Sequence, residues 1–152
     1  MRIGITDTTF ARIDLASFAI SLLHTEAPQA QIERSTVPGF KDLPVAAKKL
    51  LEEYHCDIVL ALGYAGATEL DEKCAMEANI ALMQAELMTN KHILKVFVFQ
   101  SEEKNDKKLL AIAQDRVEKH ALNALALLKG KETLTPQAGK GLRQGQQHAG
   151  PL

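Results

Sequence analysis

The chain has only two cysteines, Cys56 and Cys74, in neither a CxxC nor a zinc spacing, which removes disulfide scaffolds and structural zinc modules from consideration. No apolar run approaches the ~20 residues that span a bilayer, and no basic-then-apolar leader precedes the first strand. A reduced, cytoplasmic protein with no membrane partner is the expectation. A dominant charge is missing too. Lys and Arg number 18 against 19 Asp and Glu, so no global field draws the chain to nucleic acid or anionic lipid, and any anion site has to be local. The five histidines, His24, His55, His92, His120 and His148, form no HxH or HExxH arrangement, so no metal site is expected from them. Gly139, Gly141 and Gly145 have no strand before them and no βαβ unit after, so they are not a dinucleotide loop. No nucleophile–base pair or Walker motif is present.

What is there is an alternation. With 152 residues and 46% hydrophobic content the chain fills one ordinary core and one domain. Arg2 to Asp7 reads as a strand closed by Asp7, Thr8 and Thr9. From Asp14, Ala16, Ala19, Ile20, Leu23 and Ala27 fall at helical spacing until Pro28. Gln31 to Val37 alternates as an edge strand does. Asp42 stands where an N-cap belongs, Pro44 fits the first turn, and Ala46, Ala47, Leu50, Leu51 and Tyr54 make the buried stripe.

Asp57 to Leu62 is an uncharged strand covered on both faces, followed by a loop from Gly63 to Leu70. A helix carrying Ala75, Ala78, Leu82 and Ala85 ends near Asn90, and Ile93 to Phe99 is the fourth strand. The last helix places Leu109, Ala113, Val117, Ala121, Ala124, Leu125 and Leu128 on one side and stops at Gly130. The expected fold is α/β: a four-stranded, mostly parallel sheet between helices in three layers, over residues 1–130. Residues 131–152, rich in Gly, Gln and charge, form a tail that is either disordered or ordered only against another surface. Glu102 to Lys108 reads as a solvated helix start, Cys74 as a small core residue, and Met76, Met83 and Met88 as core or interface packing.

Loops at the carboxyl ends of parallel strands hold small ligands in such folds. Here they collect Asp7, Thr8, Thr9, Phe10 and Arg12, then Gly39, Phe40, Lys41 and Asp42, then Gly63, Tyr64 and Glu69. Aromatic rings, hydroxyls, carboxylates and free backbone groups suit a flat heteroaromatic carrying a polyol better than a phosphate, with stacking on Phe10 or Phe40 and backbone near Gly63 reading ring heteroatoms. Phe10 either stacks on ligand or packs under its own helix, and Asp42 caps a helix whether or not it touches ligand. The residues so far define a ring-binding rim and name no reaction.

Motifs narrow it. VPGFKDLPVAAKKLLEE at 37–53, CDIVLALG at 56–63 and LMQAELMTNKHI at 82–93 resemble the lumazine synthase family. The loop from Tyr64 to Glu72 departs from that family: it is shorter and lacks the histidine expected there. With GITDTTFARIDLAS at 4–17, ALGYAGATELDEKCAMEA at 61–78 and AGKGLRQG at 138–145, the chain is similar to the archaeal-type riboflavin synthases over nearly its whole length.

The resemblance implies a lumazine-synthase-like fold and a homopentamer with active sites at subunit interfaces. It implies a transferase that dismutates two molecules of 6,7-dimethyl-8-ribityllumazine, passing a four-carbon unit from one to the other, to give riboflavin and 5-amino-6-(ribitylamino)uracil. No external redox cofactor is needed, and a divalent cation such as magnesium is the one possible assistant. Because a lumazine C7 methyl is acidic through delocalisation into the ring, holding two rings face to face is much of the task, worth roughly 7–11 kcal/mol.

On this reading Phe10 stacks, Asp42 accepts a ribityl hydroxyl, the backbone of Leu62, Gly63, Tyr64 and Ala65 reads the ring, and Thr8, Thr9, Gly39 and Phe40 line the site. Glu69 and Asp71 are the candidate proton carriers. Lys140 and Arg143 are either solvated or close a neighbouring subunit's pocket. Lumazine synthase itself and a non-catalytic flavin- or lumazine-binding protein are the alternatives.

Overall fold

The computed structural model describes residues 1–152. Four strands, β1 (Arg2–Thr8), β2 (Gln31–Val37), β3 (Ile58–Ala65) and β4 (Ile93–Phe99), alternate with four helices, α1 (Leu15–Glu26), α2 (Leu43–Glu52), α3 (Glu69–Thr89) and α4 (Asp106–Lys129). The sheet is wholly parallel in the order β2-β1-β3-β4. Its face towards α1 and α4 carries Ile3, Ile5, Ile58, Leu60, Leu62, Tyr64, Val96 and Val98. The opposite face packs Val59, Ala61, Ala65 and Ile93 against α2 and α3. β3 is buried at every residue, as its uncharged run required, and β2 is the half-exposed edge.

Helix ends follow local chemistry. The Asp14 carboxylate accepts from the Ser17 amide at 3.3 Å and starts α1. Thr68 and Asp71 cap α3 reciprocally, and Asn90 ends it in the left-handed conformation, φ 50°. Ala75, Ala78, Leu82 and Ala85 are its buried face.

Several expectations are corrected. β3 continues through Ala65 and α3 begins at Glu69, so Glu69 and Asp71 stand in the first helical turn and not in a loop. Asp42 does not cap α2 through its side chain; it closes a short 3₁₀ turn, Phe40–Asp42, and accepts from the Gly39 amide at 3.3 Å. Because α2 ends at Glu52, Tyr54 leaves the buried stripe and is 52% exposed. Glu102 is no solvated helix start: it precedes α4 in its own 3₁₀ turn and binds the buried Arg116 guanidinium through both oxygens, each at 2.7 Å.

The tail folds onto α4 of its own chain. The Gly145 amide donates to Asp115 at 2.8 Å, and Arg116 donates to the Gln144 carbonyl at 3.3 Å. No helix is long and apolar enough to cross a membrane.

Candidate functional site

Sheet order reverses between β1 and β3, the place where parallel α/β sheets open a crevice beyond their carboxyl ends. A cavity of 340 Å³ lies there, lined by Phe10 from the loop after β1, Pro38, Gly39, Phe40, Lys41 and Asp42 from the turn after β2, and Asp71 and Cys74 from α3. Phe10 is half exposed at its mouth, so its ring is not buried under its own helix. Phe40 is buried and meets Phe97 edge to face, centroids 4.8 Å apart and planes at 84°. It builds the floor and is not a free stacking plate.

Two glycines make the close approaches possible. A Cβ on Gly63 would stand 2.2 Å from Phe40 Cε1, and one on Gly66 would stand 2.4 Å from Asp71 Oδ2 and 3.6 Å from Phe10 Cζ. Gly66 therefore lets the Asp71 carboxylate and the Phe10 ring converge. Asp71 Oδ2 accepts from the Thr68 hydroxyl at 2.7 Å, so the carboxylate that faces the cavity is also held by its cap. Cys74, expected in the core, is half-buried and lines this wall. Lys41 pairs with Glu77 at 3.1 Å; a hydrogen bond from this ammonium to Glu77, with their mutual attraction, raises the lysine above its ordinary value.

Other candidates stand apart from the cavity. Glu69 is exposed and pairs with Lys73 at 2.8 Å. Thr9 is exposed and donates to the Pro38 carbonyl at 3.3 Å. Thr8 is buried, with its hydroxyl unpartnered. The Leu62 and Tyr64 side chains pack on the α1/α4 face, Tyr64 donating to Gln100 Oε1 at 2.9 Å, while Ala65 is buried on the other. Arg143 borders a 950 Å³ cleft between α4 and the tail that shares no lining residue with the ring cavity, and Lys140 borders neither.

One cluster escaped sequence reasoning. Arg34 on β2 donates to Asp7 Oδ2 at 2.6 Å and to Asp14 Oδ1 at 3.0 Å, and the Thr36 hydroxyl donates to Asp7 Oδ1 at 2.7 Å. The hydrogen bond to Asp7 raises the guanidinium above its ordinary value despite the opposing cost of burial. No periodicity signals such a pairing, since the partners are 27 and 20 residues apart.

A wholly parallel four-stranded sheet between helices, with a cavity beyond its switch point, defines a three-layer α/β domain of the kind that holds small ligands at that place. The chain belongs to the 6,7-dimethyl-8-ribityllumazine synthase family, whose pattern matches residues 1–132. Curated relatives extend the match over the tail. The chain is 49% identical over 152 residues, 100% of itself and 99% of the relative, to the riboflavin synthase of Methanothermobacter thermautotrophicus. It is 45% identical over 152 residues, with the same coverage, to that of Archaeoglobus fulgidus. To that of Aeropyrum pernix it is 44% identical over 151 residues, 99% of this chain and 97% of the relative.

Proposed function

We propose that the chain is a riboflavin synthase: a transferase that dismutates two molecules of 6,7-dimethyl-8-ribityllumazine to riboflavin and 5-amino-6-(ribitylamino)uracil. The observation that carries this is the reach of the similarity. The lumazine synthase pattern stops at residue 132, whereas the match to the riboflavin synthases covers all 152 residues at 49% identity. The loop after β3 also lacks the histidine expected of a lumazine synthase.

The cavity supports the reading. Its 340 Å³ is near the lower end of the roughly 300–1,000 Å³ that encloses one small ligand, so one chain has room for about one ring system. The second ring then needs a wall from another subunit. α3 presents Met76, Ile80, Met83 and Leu87, all exposed, at i, i+4, i+7 and i+11, an unpartnered apolar stripe that fits an oligomer such as a homopentamer.

In this scheme Phe10 stacks on one lumazine, Asp42 accepts a ribityl hydroxyl, and backbone at Gly63 to Ala65 sits beside the ring. Asp71, facing the cavity, takes the C7 methyl proton in preference to Glu69, which is solvated and paired. Orientation supplies most of the acceleration and proton transfer a further ~10²- to 10⁴-fold. Within one chain no three His, Cys, Asp or Glu side chains converge. No step is routed through a magnesium ion. Neither is an external redox cofactor invoked, because one lumazine donates the unit the other accepts. A cytoplasmic location fits this reading, in keeping with two unpaired cysteines.

The test is to supply each substrate in turn. Lumazine alone should yield the green fluorescence of riboflavin. Turnover only with the pyrimidine and a four-carbon phosphate would identify a lumazine synthase, and tight binding without product would identify a carrier.

A further inference from the structure

We propose that Arg34 is a positioning residue for the ring-binding loop: its guanidinium ties the two ends of the segment between β1 and α1 together and so fixes Phe10 over the cavity. The inference rests on Phe10 being the ring-stacking surface.

The geometry is that of a clamp. Residues 8–13 cross the carboxyl edge of the sheet, with Asp7 in β1 at one end and Asp14, the N-cap of α1, at the other. A single nitrogen, Arg34 Nη2, lies 2.6 Å from Asp7 Oδ2 and 3.0 Å from Asp14 Oδ1. Arg34 Nε adds a longer contact to Asp7 Oδ1 at 3.4 Å. Asp7 is 5% exposed, and a carboxylate so buried needs a partner, which makes this arm of the clamp firm. The Asp14 arm is more exposed and trims a freedom the buried arm leaves open.

Between the two ends, the loop backbone is held to the last residue of β2 and the one after it: the Thr9 amide donates to the Val37 carbonyl at 2.9 Å and the Phe10 amide to the Pro38 carbonyl at 3.3 Å. β2 thus holds the loop by two independent devices, and Arg34 is the one that reaches both its ends. A guanidinium suits this role because Nε and Nη2 face both oxygens of Asp7 while Nη2 also reaches Asp14, a fixed fork that a lysine ammonium on a flexible stem lacks.

Asp14→Asn separates the clamp from the fold. Asparagine caps a helix as well as aspartate does, so α1 is kept while the charge-assisted arm is weakened. Amide hydrogen exchange at Thr9 and Phe10, measured without substrate, should quicken by about 2- to 5-fold, the scale of a partly exposed ion pair. The unfolding midpoint should stay at its native value, and kcat should fall by about the same factor with KM nearly constant.

Arg34→Lys, which leaves a cation beside Asp7, should reproduce the exchange pattern. Lys48→Gln, which breaks an exposed ion pair on α2, should change none of these quantities. Native exchange at Thr9 and Phe10 in Asp14→Asn, or acceleration spread evenly over the chain, overturns the clamp. A loosened loop in a chain that makes no riboflavin would retain the clamp and overturn the proposed function instead.

Discussion

The ring of Phe40 lies across the backbone of Gly63, so closely that a methyl group on Gly63 would stand 2.2 Å from Phe40 Cε1 and 3.0 Å from Phe97 Cδ1. The 3₁₀ turn that begins with Phe40 also carries Lys41 and Asp42, so the cavity floor and its acidic rim move together. Gly63→Ala should lose ~1–3 kcal/mol in denaturant unfolding by overpacking and should bind lumazine more weakly. Gly39→Ala, where an added Cβ meets nothing within 4 Å, should unfold as the native chain does.

The two carboxylates at the cavity have separable duties. Asp42→Ala should weaken lumazine binding by ~10-fold, the scale of one hydrogen bond to a charged group, while Asp42→Asn, which keeps an acceptor for the ribityl hydroxyl and the Gly39 amide, should recover much of it. Fluorescence titration of the lumazine measures both. Asp71→Asn should instead lower kcat by ~10²-fold or more, and Glu69→Gln should leave it native. Native turnover in Asp71→Asn would remove Asp71 from proton transfer.

Acid sensitivity should begin at His120. Burial, then the neighbouring Arg116 charge, push its imidazole down to about 4 from an ordinary 6.5. The folded chain keeps the ring neutral while the unfolded chain protonates it, so this stability is fully present above pH 6.5 and drains as pH falls towards 4. The slope approaches ~1.4 kcal/mol per pH unit for one proton.

Below about pH 4.5, Glu102 adds a second loss. Desolvation works to raise its carboxyl, but the hydrogen bonds from Arg116 and the Phe99 amide more than offset that and hold it below the ordinary 4.5. Urea unfolding of native and His120→Gln proteins between pH 7 and 4 checks this. The variant should show the flatter profile down to about pH 4.5.

The tail is fastened to α4 through Gly145 and Gln144, which leaves Lys140 and Arg143 exposed. If these cations close a neighbouring subunit's pocket, deleting residues 136–152 should abolish turnover while the sheet and helices persist by circular dichroism. Arg143→Ala should lower turnover ~10-fold or more without changing the unfolding midpoint, as loss of a charge-assisted contact does. Unchanged turnover after the deletion would reject any catalytic part for the tail.

Much of the architecture was legible because burial leaves a period. Ala75, Ala78, Leu82 and Ala85 recur at helical spacing and become the inner face of α3, and the uncharged run before Gly63 becomes the central strand β3. What was not legible depends on atoms that meet across long separations or through the backbone. Arg34 meets Asp7 and Asp14, and Glu102 meets Arg116, with no local pattern to announce them. The tail is held by the Gly145 amide and the Gln144 carbonyl, groups every residue possesses, so its order has no hydropathy signature. Asp42 stands at the N-cap of α2 as its position suggested, but its carboxylate does no capping for a local reason: the 3₁₀ turn before α2 draws it back to Gly39. Loop position alone brought Phe10, Gly39, Phe40 and Asp42 into one group, and they line one cavity, whereas the part of Asp71 in its wall depends on Gly66 having no side chain.

The most direct measurement is the binding stoichiometry of a non-reacting lumazine analogue on the assembled protein, by calorimetric titration and by a structure of the complex. The account predicts two analogue molecules per site, their rings stacked, one against Phe10. A single molecule per site at saturation would contradict it.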